Sequence, residues 1–221
     1  MGVRDMDERF ARISSLIDSL GVSKWGVADV ARLPHSAARG FGRAISLLIG
    51  YDRLPGPYDE SAFDRILSET RDRMHCVRQA ICELATGMGI EHHIAAAGQG
   101  PDNLTSHFPH KTAATLAGVG WVGKNALLVT EEHGPRVRLA TILVDLDIER
   151  ADPVSESRCG DCRVCVDACP YGCVTGVEWY PGIDRNLLLN AQLCYDTRDG
   201  FVEQLGRRHA CGFCLLDCPR G

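Results

Sequence analysis

The residues best suited to chemistry are cysteines, and nine of the eleven lie in the last 63 of 221 residues. Cys159, Cys162, Cys165 and Cys169 form a C-x2-C-x2-C-x3-C run closed by Pro170. Cys211, Cys214 and Cys218 form C-x2-C-x3-C, closed by Pro219. Thiolates at these spacings are iron–sulfur ligands. Short loops set three sulfurs on the corners of one 4Fe–4S cubane, and the turn after the third carries the fourth cysteine toward a second. The second run lacks one ligand, and Cys194, 17 residues before Cys211, supplies it. Exchanging the outlying cysteine of each half gives two sets: Cys159, Cys162, Cys165 with Cys218, and Cys194, Cys211, Cys214 with Cys169. Cys173 is left over and reads as a buried non-ligand. Structural zinc is the other use of such thiols, but it favours separated C-x2-C pairs closing a tetrahedron.

Composition fits this reading. The chain is 45% hydrophobic and 24% charged, ordinary for a folded protein. Disulfides are rare in a reducing compartment, so a dense thiol pattern there favours metal. Residues 1–7 mix charges with no apolar segment, and nothing approaches the ~18 apolar residues that span a bilayer. The expectation is a cytoplasmic protein with no membrane partner. The net charge of −5 gives no basic footprint and argues against nucleic acid. Arg207-Arg208-His209 reads as a short solvated loop.

Some 150 residues precede the cysteine module and must position whatever it serves. Apolar spacing predicts a helix over 8–20, with Gly21 as its stop, then strands over 24–30 and 43–51. The second of these is apolar enough to be buried on both faces. A long helix is expected over 61–88. It carries Cys76 and Cys82 about 240° apart, which makes them core or surface thiols rather than one site. A strand over 91–97, a short helix over 110–117 and a hairpin of strands 125–130 and 136–146 follow. The fold class is therefore α+β: a mixed α/β-layer domain over 1–150, then a two-cluster bacterial ferredoxin-like module over 151–221, with the polar stretch 149–157 as boundary.

Between helix and hairpin stands Ala117-Gly118-Val119-Gly120-Trp121-Val122-Gly123-Lys124-Asn125. Three glycines in six residues allow the backbone close approach to a ligand or simply a tight turn, and the pattern is not a dinucleotide fingerprint. This segment, the apolar strands after it and the two C-P halves together resemble the epoxyqueuosine reductase family, relatives of the corrinoid iron–sulfur reductive dehalogenases. The similarity covers about residue 44 onward. It implies an α+β domain that binds cobalamin beside two 4Fe–4S clusters. It also implies that Gly118, Gly120, Trp121, Gly123, Lys124 and Asn125 line or support the corrinoid pocket. Electrons would come from an external donor of ferredoxin or flavodoxin type and pass to a small-molecule substrate or a partner's cofactor.

One segment departs from the family. Where the family has D-x-x-P-x-x-E, Leu104 takes the aspartate's place and His110 the glutamate's, with Asp102 two residues away. The sequence also ends three residues after Cys218, where many family members continue. These departures argue against a tRNA-bound epoxide as substrate. In its place the segment offers His107, His110 and Lys111. A histidine there could protonate an intermediate or ligate cobalt, and with Asp102 these are the candidate catalytic residues, although a plain loop fits them equally. His92 and His93 read as structural. Three functions stay open: a reductase with its own substrate, an electron-transfer protein or reductive activator serving a partner, and an iron–sulfur sensor.

Overall fold

The computed structural model describes residues 3–54, 58–96, 104, 106–197 and 211–221, and for 3–7 and 35 the backbone alone. Asp102 and the basic loop at 207–209 lie outside the described residues. The chain divides into two compact units that alternate along the sequence. Residues 1–50, 69–119 and 138–154 form one, and 51–68, 120–137 and 155–221 the other. The last crossing falls between Val154 and Ser155, inside the polar stretch 149–157.

The first unit is a sheet with helices. Its elements are α1 (Val3–Ser19), β1 (Lys24–Asp29), α2 (His35–Ala38), β2 (Arg43–Gly50), most of α3 (Glu60–Gly87), β3 (His92–Ile94), α4 (His110–Leu116) and most of β6 (Val137–Val144). Strand order is β1-β2-β6-β3. β1 runs antiparallel to β2 with Val27 opposite Ile45, and β3 antiparallel to β6 with His93 opposite Leu143. α1 ends where Gly21 turns left-handed at φ 68°, the conformation glycine adopts without strain. The periodic residues Ile13 and Ile17 bury their side chains completely.

Alternation explains the sheet. Ile45, Leu47 and Ile49 of β2 and Ala140, Ile142 and Val144 of β6 enter one core with Met74, Val77 and Ile81 of α3. Ala44, Ser46 and Leu48 on the other face of β2 are also fully buried, so the strand is covered on both sides, as its apolar run predicts. α4 packs on β1 closely enough that a Cβ on Gly26 would overlap the Ala117 carbonyl. Cys82 packs at the edge of the core and Cys76 is exposed, as their helical offset requires.

In the second unit the expected hairpin of 125–130 with 136–146 is not formed. A tight turn does link Thr130 and Gly134, with both backbone hydrogen bonds present at 2.9 and 3.0 Å. The strands then part. β5 (Leu128–Val129) pairs back with β4 (Trp121–Val122), while β6 joins β3 and β2. The reason is packing: every second residue of β6 from Ala140 belongs to the sheet core, and Gly120 lets β4 close onto β5. Among the described residues the unit also holds four short helices: α5 (Val164–Asp167), α6 (Arg185–Leu188), α7 (Ala191–Asp196) and α8 (Phe213–Leu216). Among the described residues no helix is long and apolar enough to cross a membrane.

Candidate metal centre

Each C-x2-C pair is followed by one helical turn. Cys162 N–H donates to the Cys159 carbonyl at 3.2 Å, and α5 then carries the chain from Cys165 to Cys169. Gly212, at φ 81°, opens α8, which carries Cys214 to Cys218, and α5 and α8 pack on each other. The outcome is a small cavity, of about 20 Å³, walled by Cys159, Cys162, Cys165 and Cys218 together with Gly123, Lys124 and Asn125. Three of these cysteines come from the first run and one from the second. Cys194 of α7 gathers with Cys165, Cys169 and Cys214 on a separate apolar cluster of Val122, Ala126, Cys173, Val174, Leu188 and Leu189.

The electrostatics report the same two gatherings. Burial first, then the neighbouring Cys159, Cys218 and Cys162, push the Cys165 thiol up to about 11. Cys214 is also pushed up, by burial and then by Cys211, Cys194, Cys165 and Cys169. Thiols packed this closely resist ionising together unless a cation compensates them, which iron does. Cys169 is opposite in sign. Burial raises it, but the backbone N–H groups of Cys173, Tyr171 and Val174 outweigh that and hold it below the usual thiol range. All eleven cysteines are free thiols. Among the described residues no three His, Cys, Asp or Glu side chains group as for a single metal ion. The cavity wall instead brings four cysteine sulfurs together, the donor chemistry of iron–sulfur cubanes.

The glycine motif makes its contacts with the chain itself. Gly118, at φ 70°, lies against the Asp152 carbonyl, and Gly120 against that of Val129. Trp121 is buried with the Arg158 guanidinium 5.5 Å over its ring, and its indole N–H has no acceptor among the described residues. Arg158 in turn reaches Glu131 at 2.6 Å. A Cβ on Gly123 would stand 3.7 Å from Cys159 Sγ and 2.8 Å from a methyl of Val129. Lys124 Nζ donates to the Gly160 and Cys162 carbonyls, and Asn125 Nδ2 to the Cys214 carbonyl at 2.8 Å. Both side chains are buried. The family resemblance implies that Lys124 and Asn125 line or support a corrinoid pocket; in the structure their side chains donate to the cysteine loops. Sequence reasoning missed two arginines that hold the segment after Cys218. Arg53 donates to the Cys218 carbonyl at 3.0 Å, and Arg136 to the Gly221 carbonyl at 2.8 Å. No sequence signal separates these from surface cations.

The candidate catalytic histidines sit in the first unit and differ from each other. His107 is exposed and lines an open depression with Arg39, His93 and Phe108. His110 is not among the lining residues. Its Nε2 lies 3.1 Å from the Ala96 carbonyl and its Nδ1 2.9 Å from Thr141 Oγ1. A carbonyl only accepts, so Nε2 carries the proton and Nδ1 accepts from the threonine hydroxyl. Burial holds the ring below the usual histidine range, which matches a neutral, doubly hydrogen-bonded imidazole. Both ring nitrogens are thus engaged within the fold.

With this geometry in place, three similarities are informative. The epoxyqueuosine reductase of Lactococcus garvieae is 32% identical over 161 residues, covering 67% of this chain and 41% of that protein. A crystal structure of an epoxyqueuosine reductase with an epoxyqueuosine-modified tRNA-Tyr stem loop superposes at TM-score 0.62 and 20% identity, over 97% of this chain and 65% of that one. A reductive dehalogenase structure, described with a mechanism for B12-dependent dehalogenation, superposes at TM-score 0.70 and 20% identity, over 94% and 31%. No family model matches the chain. The chain spans about half or less of the length of the curated relatives it matches. By sequence over part of its length and by fold over nearly all of it, the chain is epoxyqueuosine reductase-like.

Proposed function

We propose that the chain is an iron–sulfur oxidoreductase of the reducing cytoplasm. In this reading it holds two 4Fe–4S clusters and passes low-potential electrons to a cofactor or substrate of its first unit. The observation that carries it is the single cavity walled by Cys159, Cys162 and Cys165 from one run and Cys218 from the other. That is the ligand exchange expected of a two-cluster module. Cys169, Cys194, Cys211 and Cys214 hold the second cluster, and Cys173 packs beside them without ligating. The clusters supply one-electron reducing equivalents. The chain's own part is to seat them: Lys124 and Asn125 tie the cysteine loops, Gly123 leaves room for the Val129 and Asn125 side chains, and amides around Cys169 favour its thiolate.

Cobalamin is the acceptor we propose, on the likeness to corrinoid reductases, and a low-potential ferredoxin or flavodoxin is the donor. His107 and the depression around it are the part of the first unit open to a ligand. One matched reductase is bound to a tRNA stem loop. A net charge of −5 does not exclude such a partner here, because binding needs a local basic surface rather than a basic chain. Anaerobically purified protein mixed with cobalamin and desalted tests the acceptor. Cobalt retained near one per chain, with a changed corrin spectrum, is expected; no retained cobalt and an unchanged spectrum would leave the second reading, an electron carrier serving a partner.

A further inference from the structure

Two adjacent residues serve the two cysteine loops, and they differ in charge. Lys124 donates to carbonyls of the first loop, at Gly160 and, at 3.1 Å, at Cys162. Asn125 donates to the second, at Cys214. Lys124 is 6% exposed and lines the cavity with Cys159, Cys162, Cys165 and Cys218. Burying an ammonium is costly unless an opposite charge faces it. Among the described residues no carboxylate forms an ion pair with Lys124. Glu178 lies nearby, but it accepts the Gly160 N–H at 2.8 Å. Two carbonyls take two of the ammonium's three N–H groups and bring no net charge. The compensating charge in this neighbourhood is the thiolate wall. Arg220 also lines the cavity, but it is exposed and screened by water.

The structure assigns Lys124 as the fixed counter-charge of the first cluster, setting that cluster's reduction potential above the second's. This inference rests on reading the four cavity cysteines as cluster ligands. Reduction takes one electron from an external low-potential donor and adds one negative charge within the thiolate cage, with no bond made or broken. A buried ammonium beside the cage stabilises that added charge. Asn125, on the same cavity wall, donates to the Cys214 carbonyl as a neutral dipole, and Arg136, also buried, faces Cys218 and is untouched by a change at Lys124. At the effective dielectric of a protein interior, removing the Lys124 charge shifts the reduced-to-oxidised equilibrium by about tenfold, which is about 59 mV for a one-electron couple.

Lys124 is a positioning residue, so its test reads potentials. The full chain is reconstituted without oxygen and titrated with dithionite, following the clusters by electron paramagnetic resonance. Wild type is expected to show two waves. Lys124→Gln, which keeps hydrogen-bond donors, should move one wave about 59 mV more negative and leave the other in place; Lys124→Arg should restore it. Unmoved waves in Lys124→Gln, equal movement of both, or an Arg variant behaving like Gln would overturn the assignment. If the Gln variant loses the cluster and Arg keeps it, charge is required for assembly and the assignment stands. Loss in both variants overturns it in favour of shape. Absence of clusters from wild type would instead refute the iron–sulfur reading itself.

Discussion

Cys194→Ala is expected to halve the iron bound per chain after anaerobic reconstitution, whereas Cys173→Ala should retain all of it. The two residues test the pairing because they are neighbours in space with opposite assigned roles. Cys194 sits on α7, and Asn190 caps that helix by accepting the Leu193 N–H at 3.1 Å, which fixes where the thiol points. It packs on the same apolar cluster as Cys214 and is among the groups that raise that thiol. Without it one cubane loses a corner ligand. Cys173 is 2% exposed in the apolar cluster, and burial, then Cys169 and Cys194, push its thiol up to about 12. A thiol buried in such a cluster packs as a small hydrophobe. Its backbone, which the substitution keeps, does the useful work: its N–H donates to Cys169 Sγ at 3.3 Å, and its carbonyl accepts from Asn190 at 2.9 Å. Iron counted on the two variants side by side checks the prediction, and equal counts would refute the pairing.

Gly120→Ala should destabilise the second unit by about 1–3 kcal/mol, the usual cost of forcing extra volume into a packed site. Its φ is not positive, so the objection to a side chain is purely steric. A Cβ there would lie inside the contact shell of the Val129 carbonyl oxygen, and a backbone atom in a paired strand cannot turn aside. The strain would fall on β4 and β5, which flank Lys124 and Asn125 in the chain. Cluster retention should therefore drop with stability. Gly87→Ala is the matched control. Gly87 closes α3 with open space where the Cβ would go, so alanine's helix preference should leave stability unchanged or raise it by about 0.5–1 kcal/mol. Urea unfolding of the three proteins under one anaerobic buffer compares them directly.

Much of the fold was legible because it obeys periodicity. α1, β1, β2 and α3 fall within a few residues of their expected bounds, since Ile13, Ile17 and the β2 run announce their buried faces. The pairing of β5 was not legible. Nearness in sequence favoured β6, and only three-dimensional packing shows β6 committed to the sheet and Gly120 admitting β4. The cysteine spacing is visible in sequence because it is a local property of the chain, whereas the grouping of Cys159, Cys162, Cys165 and Cys218 around one cavity needs the fold. The contacts of Lys124 and Asn125 are not visible there, because a buried cation and a surface one look alike until the loop they bind is folded over them. His110 illustrates a third limit: its proximity to a candidate site was visible, but the engagement of both ring nitrogens by Ala96 and Thr141 depends on a strand 31 residues away.

The central claim is that the gathered thiols hold two cubane clusters, and counting metal tests it most directly. Protein purified and reconstituted without oxygen should carry about eight iron and about eight acid-labile sulfide per chain, and reduction should bring out a signal from coupled cubanes. Zinc in place of iron, or iron and labile sulfide well short of about eight per chain, would contradict it.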